Sequence, residues 1–585
     1  MRPRMKYDGN NTGRRFDRLF AIKFIFITIG LVFIGRLFYL QIIKHEYYKS
    51  SARAEQFKQL EIEPERGTIS VMNGGNDPVV LAINESRYTI FADPAYIKNA
   101  PDVAAKVSPI IGDSATSIEE KLSRDLRYVI LAKKITKDKK DELLKLDIKG
   151  IGIKEERIRA YPQGNLAPHV LGFVNDEGDG QYGIEGFLNN ELKGTPGILQ
   201  AITDIQGTPL VLNRDNVVTT PKDGTDVVLS IDQTIQRLSE DELKSGVERS
   251  GAKSGSVIVM EADTGRVKAM ANYPSYDVSN YTQVEDQAVF QNRVVSEPLE
   301  PGSILKTLTV ATALDIGVVG KESTYFDAGY VQVDDSKIKN VTDLGAGTRT
   351  TFDILHYSLN TGAVHLLQQM GGGDITEQGR STFYDYLINH YLFNTLTGIE
   401  QQEEAAGSVS SPTEGDGLRV RYANMSFGQG LSVTLTQFAG ALSSVVNGGT
   451  YYKPTIIYSK GDGDNQTVQN PVISQDHVVS SRTSSDLVSL MKDYIDVMAP
   501  AAKREGFIVG GKTGTAQLAK PEGGYREDAY NATFAGFMGR TRPKYVIVIR
   551  LDEGSAARNF GGFQDASPVF IGIVNGIMDN IPIVQ

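Results

Sequence analysis

The 585-residue sequence contains no cysteine. That excludes disulfide frameworks and any zinc or iron–sulfur site built on thiolates, and it suits a domain exported to fold without thiol chemistry. Histidine is scarce as well: His45, His169, His356, His365, His390 and His477 show no H-E-x-x-H pattern and no close ligand spacing. A histidine-held metal has no support in that pattern, and no cofactor is expected. Positive charge is not in excess, with 61 Lys and Arg against 71 Asp and Glu and a formal net charge of -10. That balance gives no support for a nucleic-acid partner and reads as a solvated acidic surface.

Long apolar runs are equally rare, and the one at Leu19–Ile43 stands out. Its strictly uncharged part, Phe24–Gly35, is short, but Lys23 and Arg36 sit near its ends, where long stems can snorkel. About 25 residues at roughly 1.5 Å each give a length of about 37 Å, enough to cross a bilayer with tilt. The segment before it carries Arg2, Arg4, Lys6, Arg14, Arg15 and Arg18 against Asp8 and Asp17. The expectation is a cytoplasmic tail over 1–18, a single transmembrane helix over 19–43 and all later residues outside the membrane. A cleaved signal peptide is the rival. Ala52-Arg53-Ala54 has the small-x-small form, yet it lies about ten residues beyond the run with charge between. A retained anchor fits better.

The length calls for two to four domains. Residues 44–220 read as a first extracytoplasmic region. Tyr47–Gln59 reads as a helical continuation of the anchor, Val79–Ala82 and Arg87–Ala92 as strands, and 100–157 as largely helical, most clearly at Lys137–Leu146. The stretch 157–197, with Arg159, Tyr161-Pro162, His169, Gly172, Gly183 and Glu185, is dense in turn formers and reads as scaffold. A hydrogen-bonded structural role suits His169 better than a catalytic one, because no nucleophile is near it in sequence. Gly207–Gly224 reads as a linker.

From 225 to 585, strands are expected at Asp226–Ile231, Ser256–Met260, Val267–Ala271, Phe507–Val509, Ala532–Met538 and Tyr545–Leu551, with Asp263-Thr264-Gly265 as a hairpin turn. Helices are expected at Gln233–Glu248, Leu305–Leu314, Phe352–Ser358, Ala363–Gln369, Leu435–Val446, Ser484–Met498 and Pro568–Met578. Early strands, a helical middle and late strands imply one sheet assembled from both ends with a helical subdomain beside it. A site would fall in the cleft between them.

Pro301-Gly302 delivers Ser303 to the apolar run Leu305–Leu314, with Lys306 three residues on. A lysine one helical turn from a serine can take the hydroxyl proton, and the helix N-terminus offers N–H groups where an oxyanion would form. The pattern alone is weak, since Ser250/Lys253, Ser336/Lys339 and Ser489/Lys492 repeat it. Its company distinguishes Ser303. Downstream come Ser358-Leu359-Asn360, whose hydroxyl can relay a proton and whose amide can orient a lysine, and then Lys512-Thr513-Gly514-Thr515, whose glycine would let a substrate backbone lie close. Lys-Ser-Gly recurs at Lys244–Gly246 and Lys253–Gly255, but upstream of Ser303.

In that order, Ser-x-x-Lys, Ser-x-Asn and Lys-Thr-Gly resemble the signature of penicillin-recognising serine enzymes. Asp232, Gln236, Tyr273-Pro274-Ser275-Tyr276-Asp277, Asn292-Arg293, Phe427-Gly428-Gln429-Gly430, Leu435-Thr436-Gln437 and Asn447-Gly448-Gly449 extend the resemblance over the transpeptidase domain. Arg66-Gly67, Arg159, Tyr161-Pro162, His169, Gly172 and Gly183-x-Glu185 resemble the pedestal of the class B penicillin-binding proteins. Glu300, Gly172-Phe173-Val174-Asn175 and Ala92-Asp93-Pro94 look more like the septal, cell-division type than the elongation type. One departure is local: where the family has Asp-Arg-Asn-Gly, this chain has Val71-Met72-Asn73-Gly74 and an insertion to Val79.

The resemblance implies an α+β multidomain chain: a transmembrane helix, an elongated α+β pedestal (dimerisation-like) over 44–220, and a transpeptidase domain over 225–585. In that domain an antiparallel sheet is sandwiched by helices, beside a helical subdomain. It implies a serine D,D-transpeptidase that cross-links peptidoglycan stem peptides through an acyl-enzyme on Ser303 and is a target of β-lactams. Lys306, kept neutral by Lys512 and partial burial, would accept the proton, and Ser358 would relay one to the leaving D-alanine. Ser303 and Thr515 N–H groups would form the oxyanion hole. Lys512, Thr513 and Thr515 would hold the terminal carboxylate of D-Ala-D-Ala on the Lys512–Gly514 strand, and Asn360 the peptide amide. Implied partners are a SEDS-type glycosyltransferase and divisome membrane proteins, at the septal cell membrane. A D,D-carboxypeptidase, an elongation-type enzyme or a non-catalytic β-lactam sensor would share the motifs. A β-lactamase fits poorly with an anchor and long pedestal, and no Glu-Asp cluster suggests a glycosyltransferase domain before 225.

Overall fold

The computed structural model describes residues 18–49, 57–202, 217–463, 465–520 and 524–583. The tail before Arg18, the Ala52-Arg53-Ala54 motif and most of the Gly207–Gly224 linker lie outside these residues. The chain divides into two compact units, Met1–Pro64 with Thr195–Lys222, and Glu65–Gly194 with Asp223–Gln585.

In the first unit, Arg18–Phe38 is an α-helix continued by a wider turn over Tyr39–Ile43. The 25-residue apolar stretch Leu19–Ile43 buries none of its side chains against protein and is long enough to span a membrane. The expected helical continuation stops early: Phe57–Ile62 is a strand, paired antiparallel with Gly197–Ile202. That strand in turn pairs with Val217–Thr219, so the described end of the expected linker is also sheet, and Thr195 bridges Lys222.

In the second unit two sheets carry the architecture. One has seven strands, in the order Asn465–Val468, Ile457–Asp462, Asp226–Asp232, Ile69–Asn73, Asn76–Ala92 and Val129–Ile135, with Ile151–Ala160 also paired to Asn76–Ala92. Helices Ala100–Ile111 and Ala115–Leu122 cover one end of it around Ile90, Val107, Ile118 and Leu131. The strands 129–135 and 151–160 correct the largely helical reading of 100–157. In Ile151–Ala160 half of the residues are charged and Ile151, Ile153 and Ile158 are only part-buried, so the ladder to Asn76–Ala92 rather than an apolar pattern defines the strand. The departure at Val71–Val79 is a two-residue hairpin: Gly74 and Gly75 take φ of 57° and 93°, and Gly74 N–H donates to Asp232 Oδ2 at 2.8 Å. Asp232 also caps helix Gln233–Ser250 through Thr234 and Ile235 N–H.

The second sheet is antiparallel throughout, in the order Val267–Tyr273, Ser254–Glu261, Pro543–Ser555, Tyr525–Gly539 and Ile508–Ala519. Early and late segments do meet: Ser254 lies opposite Asp552 and Glu261 opposite Tyr545. Helices Gln233–Ser250 and Ser567–Asn580 cover one face around Leu243, Phe534 and Phe570, while Leu435–Val446 packs on the other against the helical subdomain. Asp226–Asp232 is the exception to the sequence-based reading. It pairs parallel with Ile69–Asn73 and antiparallel with Ile457–Asp462, so strands from both halves of the chain share the seven-stranded sheet.

Candidate active site

The turn that presents Ser303 is built from backbone constraints. Gly302 has φ of 61°, a conformation costly for any residue with a Cβ, and its N–H donates to Gly428 O at 3.0 Å. A Cβ on Gly428 would lie 2.0 Å from Gly302 O, so both glycines are needed for the contact. Gly302–Leu305 forms a 3-10 turn and Lys306–Asp315 the α-helix, placing Ser303 one turn before the helix proper. Residues Lys306 through Ala313 of that helix are all buried. It tolerates Thr307, Thr309 and Thr312 in the core because each hydroxyl bonds back to a carbonyl three or four residues earlier.

Ser358 sits between helices Thr351–His356 and Asn360–Met370 with φ of 57°, a strained conformation for serine. That geometry aims both its carbonyl and its hydroxyl at one point. Lys306 Nζ lies 2.7 Å from Ser358 O, 2.8 Å from Asn360 Oδ1, 3.0 Å from Ser303 Oγ and 3.3 Å from Ser358 Oγ. Asn360 Nδ2 donates to Lys339 O at 3.1 Å, which fixes the amide with Oδ1 toward the lysine. Lys512, on the outermost strand, donates to Ser358 Oγ at 3.2 Å and Thr513 O at 2.8 Å. Ser303, Lys306, Ser358, Asn360 and Lys512 thus converge from three separate segments.

Lys306 is 0% exposed and Lys512 1%. Among the described residues, neither is paired with a carboxylate. Burial, and then the charge of Lys512, hold the Lys306 amine well below the usual lysine range. Burial alone brings Lys512 down to about 7. The expected partial burial of Lys306 is therefore complete, and burial outranks the neighbouring charge.

The Lys512–Thr515 stretch is less uniform than its motif. Thr515 is exposed, and its Oγ1 accepts from Gly562 N–H at 3.1 Å. Thr513 Oγ1 is 2.7 Å from the Tyr494 hydroxyl. Gly514 is buried: a Cβ there would lie 2.3 Å from Thr533 Oγ1 and 3.1 Å from both Ile304 N and Pro301 O. The glycine's close neighbour is the Ser303 turn itself, where the sequence reading expected a substrate backbone. Tyr494, whose ring lies under Lys512 Nζ at 5.1 Å, carries no motif and was missed; a tyrosine on an amphipathic helix gave no signal.

The rival Ser-x-x-Lys pairs are engaged elsewhere. Lys253 pairs with Glu553, Lys492 with Asp496, and Ser489 accepts from Lys321. Ser336 and Lys339 sit at the two ends of one short strand. His169 is buried, 3.0 Å from Val289 O and edge-on to Tyr276; burial lowers its pKa to about 4, so it stays neutral as a packing group.

A buried amine touching a serine hydroxyl, beside a second serine and a second lysine on a sheet edge, is a nucleophile site for acyl transfer. Residues 255–579 match the penicillin binding protein transpeptidase domain, and residues 61–229 match the penicillin-binding protein dimerisation domain. The first match covers more than half of the chain, and the chain belongs to this family: it is a class B penicillin-binding protein. Stage V sporulation protein D of Bacillus subtilis is 31% identical over 573 residues, covering 97% of this chain and 85% of that protein. A peptidoglycan D,D-transpeptidase FtsI homolog of Mesostigma viride is 27% identical over 590 residues, 96% of each chain. Penicillin binding protein 3 of Mycobacterium tuberculosis, solved in complex with ampicillin, superposes with a TM-score of 0.66 at 26% identity, over 90% of this chain and 98% of that one. The chain is accordingly an enzyme of the peptidoglycan D,D-transpeptidase type.

Proposed function

We propose that Ser303 is the acyl-accepting nucleophile for a D-alanyl-D-alanine stem peptide and for β-lactams. The observation that carries this is the 3.0 Å contact between Ser303 Oγ and a lysine amine whose pKa burial lowers well below the usual lysine range. A neutral amine has two N–H donors, which suit Ser358 O and Asn360 Oδ1, the two shortest contacts. Its lone pair then faces the Ser303 hydroxyl. Lys306 takes the hydroxyl proton as Oγ attacks the carbonyl. Ser358, within reach of both lysines, returns it to the leaving D-alanine amine. Ser303 and Thr515 N–H groups receive the oxyanion. The substrate lies along the outermost strand as an added strand, with its carboxylate near Lys512, Thr513 and Thr515 and its amide near Asn360. An amine of a neighbouring stem peptide completes the cross-link.

Penicillin labelling tests the assignment. Ser303→Ala should abolish the covalent adduct; an adduct that persists in that variant refutes the assignment. Cross-linked dimers in the products support transfer to an amine, and trimmed peptide alone would mean a carboxypeptidase. We read residues 19–43 as the anchor, with the site on the outer side of the membrane. The septal likeness of Glu300 and Gly172–Asn175 supports a division role beside a SEDS-type polymerase. The likeness to a sporulation protein favours a second reading. A fluorescent fusion at mid-cell in growing cells supports the first; signal confined to sporulating cells supports the second.

A further inference from the structure

The segment between the Ser303 helix and Ser358 carries no part of the acylation chemistry, although the rival pair Ser336/Lys339 falls within it. It folds as two short ladders, Thr324–Asp327 with Gly347–Thr350 and Tyr330–Val333 with Ser336–Lys339. Val333 and Ile338 are buried and anchor the second ladder in the core. The Lys339 side chain points to solvent, while its carbonyl accepts from Asn360 Nδ2 at 3.1 Å.

Behind that contact lies a buried carboxylate. Asp327 ends the first strand and is 3% exposed. Its Oδ1 accepts from Gly329 N–H at 2.8 Å. Its Oδ2 accepts from Thr361 Oγ1 at 2.8 Å and from Asn340 Nδ2 at 3.1 Å. Asn340 Oδ1 accepts in turn from Thr361 N–H at 3.0 Å. Asn340 follows Lys339 and Thr361 follows Asn360, so two adjacent residues of one segment are clamped to two of the other.

We propose that Asp327 is a positioning residue of the acylation site, acting through Asn340 and Asn360 on Lys306. This rests on Lys306 as the base for Ser303. A carboxylate and a backbone carbonyl only accept, whereas an amide accepts at one end and donates at the other. Asp327 therefore turns Asn340 Nδ2 toward itself and leaves Oδ1 for Thr361 N–H. The clamp holds Lys339 O in place, and that carbonyl turns Asn360 Nδ2 toward itself. Asn360 Oδ1 is left for Lys306 Nζ, 2.8 Å away. With the Asn360 amide reversed, Nδ2 would face the lysine. It would oppose an N–H there or bind the lone pair meant for Ser303, and either outcome removes the base. Enclosure of Asp327 makes reversal costly, because a donor lost there is not replaced by solvent.

Single-turnover acylation by a fluorescent penicillin, with the full chain in detergent, gives the binding constant, the acylation rate k2 and the fraction of labelled sites. Asp327→Ala should lower k2 roughly tenfold or more, with binding and the final labelled fraction near wild type. Asp327→Asn should do the same, because it sets one Nδ2 against another at position 340. The exchange Asp327→Asn with Asn340→Asp restores a donor and an acceptor to that contact. Thr361 Oγ1, 3.0 Å from Asn340 Oδ1, can then donate to residue 340, and most of k2 should return. In an Asn360→Ala background, adding Asp327→Ala should change k2 by less than about twofold, since the amide it acts through is gone. Should Asp327→Ala not fold, Asn340→Ala leaves the carboxylate two donors and carries the same cycle. A reduced labelled fraction with unchanged k2 would mean that Asp327 only stabilises the hairpin, and losses that multiply in the double variant would mean that it acts by another route. Either result overturns the proposal. An adduct that persists in Ser303→Ala overturns the nucleophile instead, whatever these rates are.

Discussion

Two clusters of charge are buried in the same unit, and they are handled in opposite ways. At the pedestal, Glu185 is 0% exposed and lies between Arg66 and Arg159, with contacts of 2.6 and 2.7 Å. Arg159 also donates to Gly67 O and Asn84 Oδ1, so each of its three nitrogens has a partner. One anion meets two forked cations, and the group locks segments 119 residues apart. In the cleft two lysines are buried around one serine without an anion. The low-dielectric interior lowers the pKa of both, Lys512 to about 7 and Lys306 well below the usual lysine range. The first arrangement builds a joint and the second a base: compensation gives rigidity, and its absence gives reactivity.

Breaking that contrast should have its largest effect in the cleft. Lys306→Ala should slow acylation by penicillin about a thousandfold, within the range for removal of a positioned base, as read by stopped-flow or gel labelling. A loss under tenfold would mean that another group takes the Ser303 proton. At the pedestal, Glu185→Ala leaves two guanidiniums buried without a counter-charge and should cost about 3–5 kcal/mol in unfolding free energy. A change under 1 kcal/mol in denaturant titration would show that water compensates the arginines.

The third effect is a matter of sign. Lysine titrates near 10.4 when unfolded, and Lys512 near 7 when folded. Between those values the unfolded chain binds more protons, so the penalty is full below about pH 7 and fades as pH rises toward 10. The stability of wild type relative to Lys512→Met should therefore climb between pH 7 and 9.5 in paired thermal melts. A flat difference would mean that an unrecognised anion compensates the lysine. The smallest effect belongs to Tyr494→Phe, which removes one hydroxyl from Thr513. It should cost about 1 kcal/mol, read as a several-fold rise in donor KM with little change in Lys306-dependent acylation by saturating penicillin.

The cleft was legible because each motif is local: Ser303 and Lys306 are one turn apart, and Ser358 and Asn360 two residues apart. Their order along the chain then selected one pair from four. The joint was partly legible, since Arg159 and Glu185 lie in the stretch read as scaffold and Arg66 among the residues that resemble the pedestal, but nothing in their spacing says that all three meet. Tyr494 and the clamp of Asp327 and Asn340 on Thr361 were not legible, because both depend on what distant segments bring alongside. The strand Ile151–Ala160 escaped because its charges hide the alternation that usually reveals a strand. A lowered pKa at Lys306 was expected from Lys512 and partial burial together, and enclosure is the larger cause.

The strand Asp226–Asp232 carries a consequence for how this protein can be divided. It runs between Ile69–Asn73 and Ile457–Asp462 with six of its seven side chains buried. A recombinant fragment beginning at residue 225 would keep every group of the cleft yet leave Val227 and Leu229 on a bare, sticky edge. Inheritance units and folding units do not coincide here. The drug-binding half is not an independent cassette, and lesions far from the antibiotic can act on it through the ladder the two halves share.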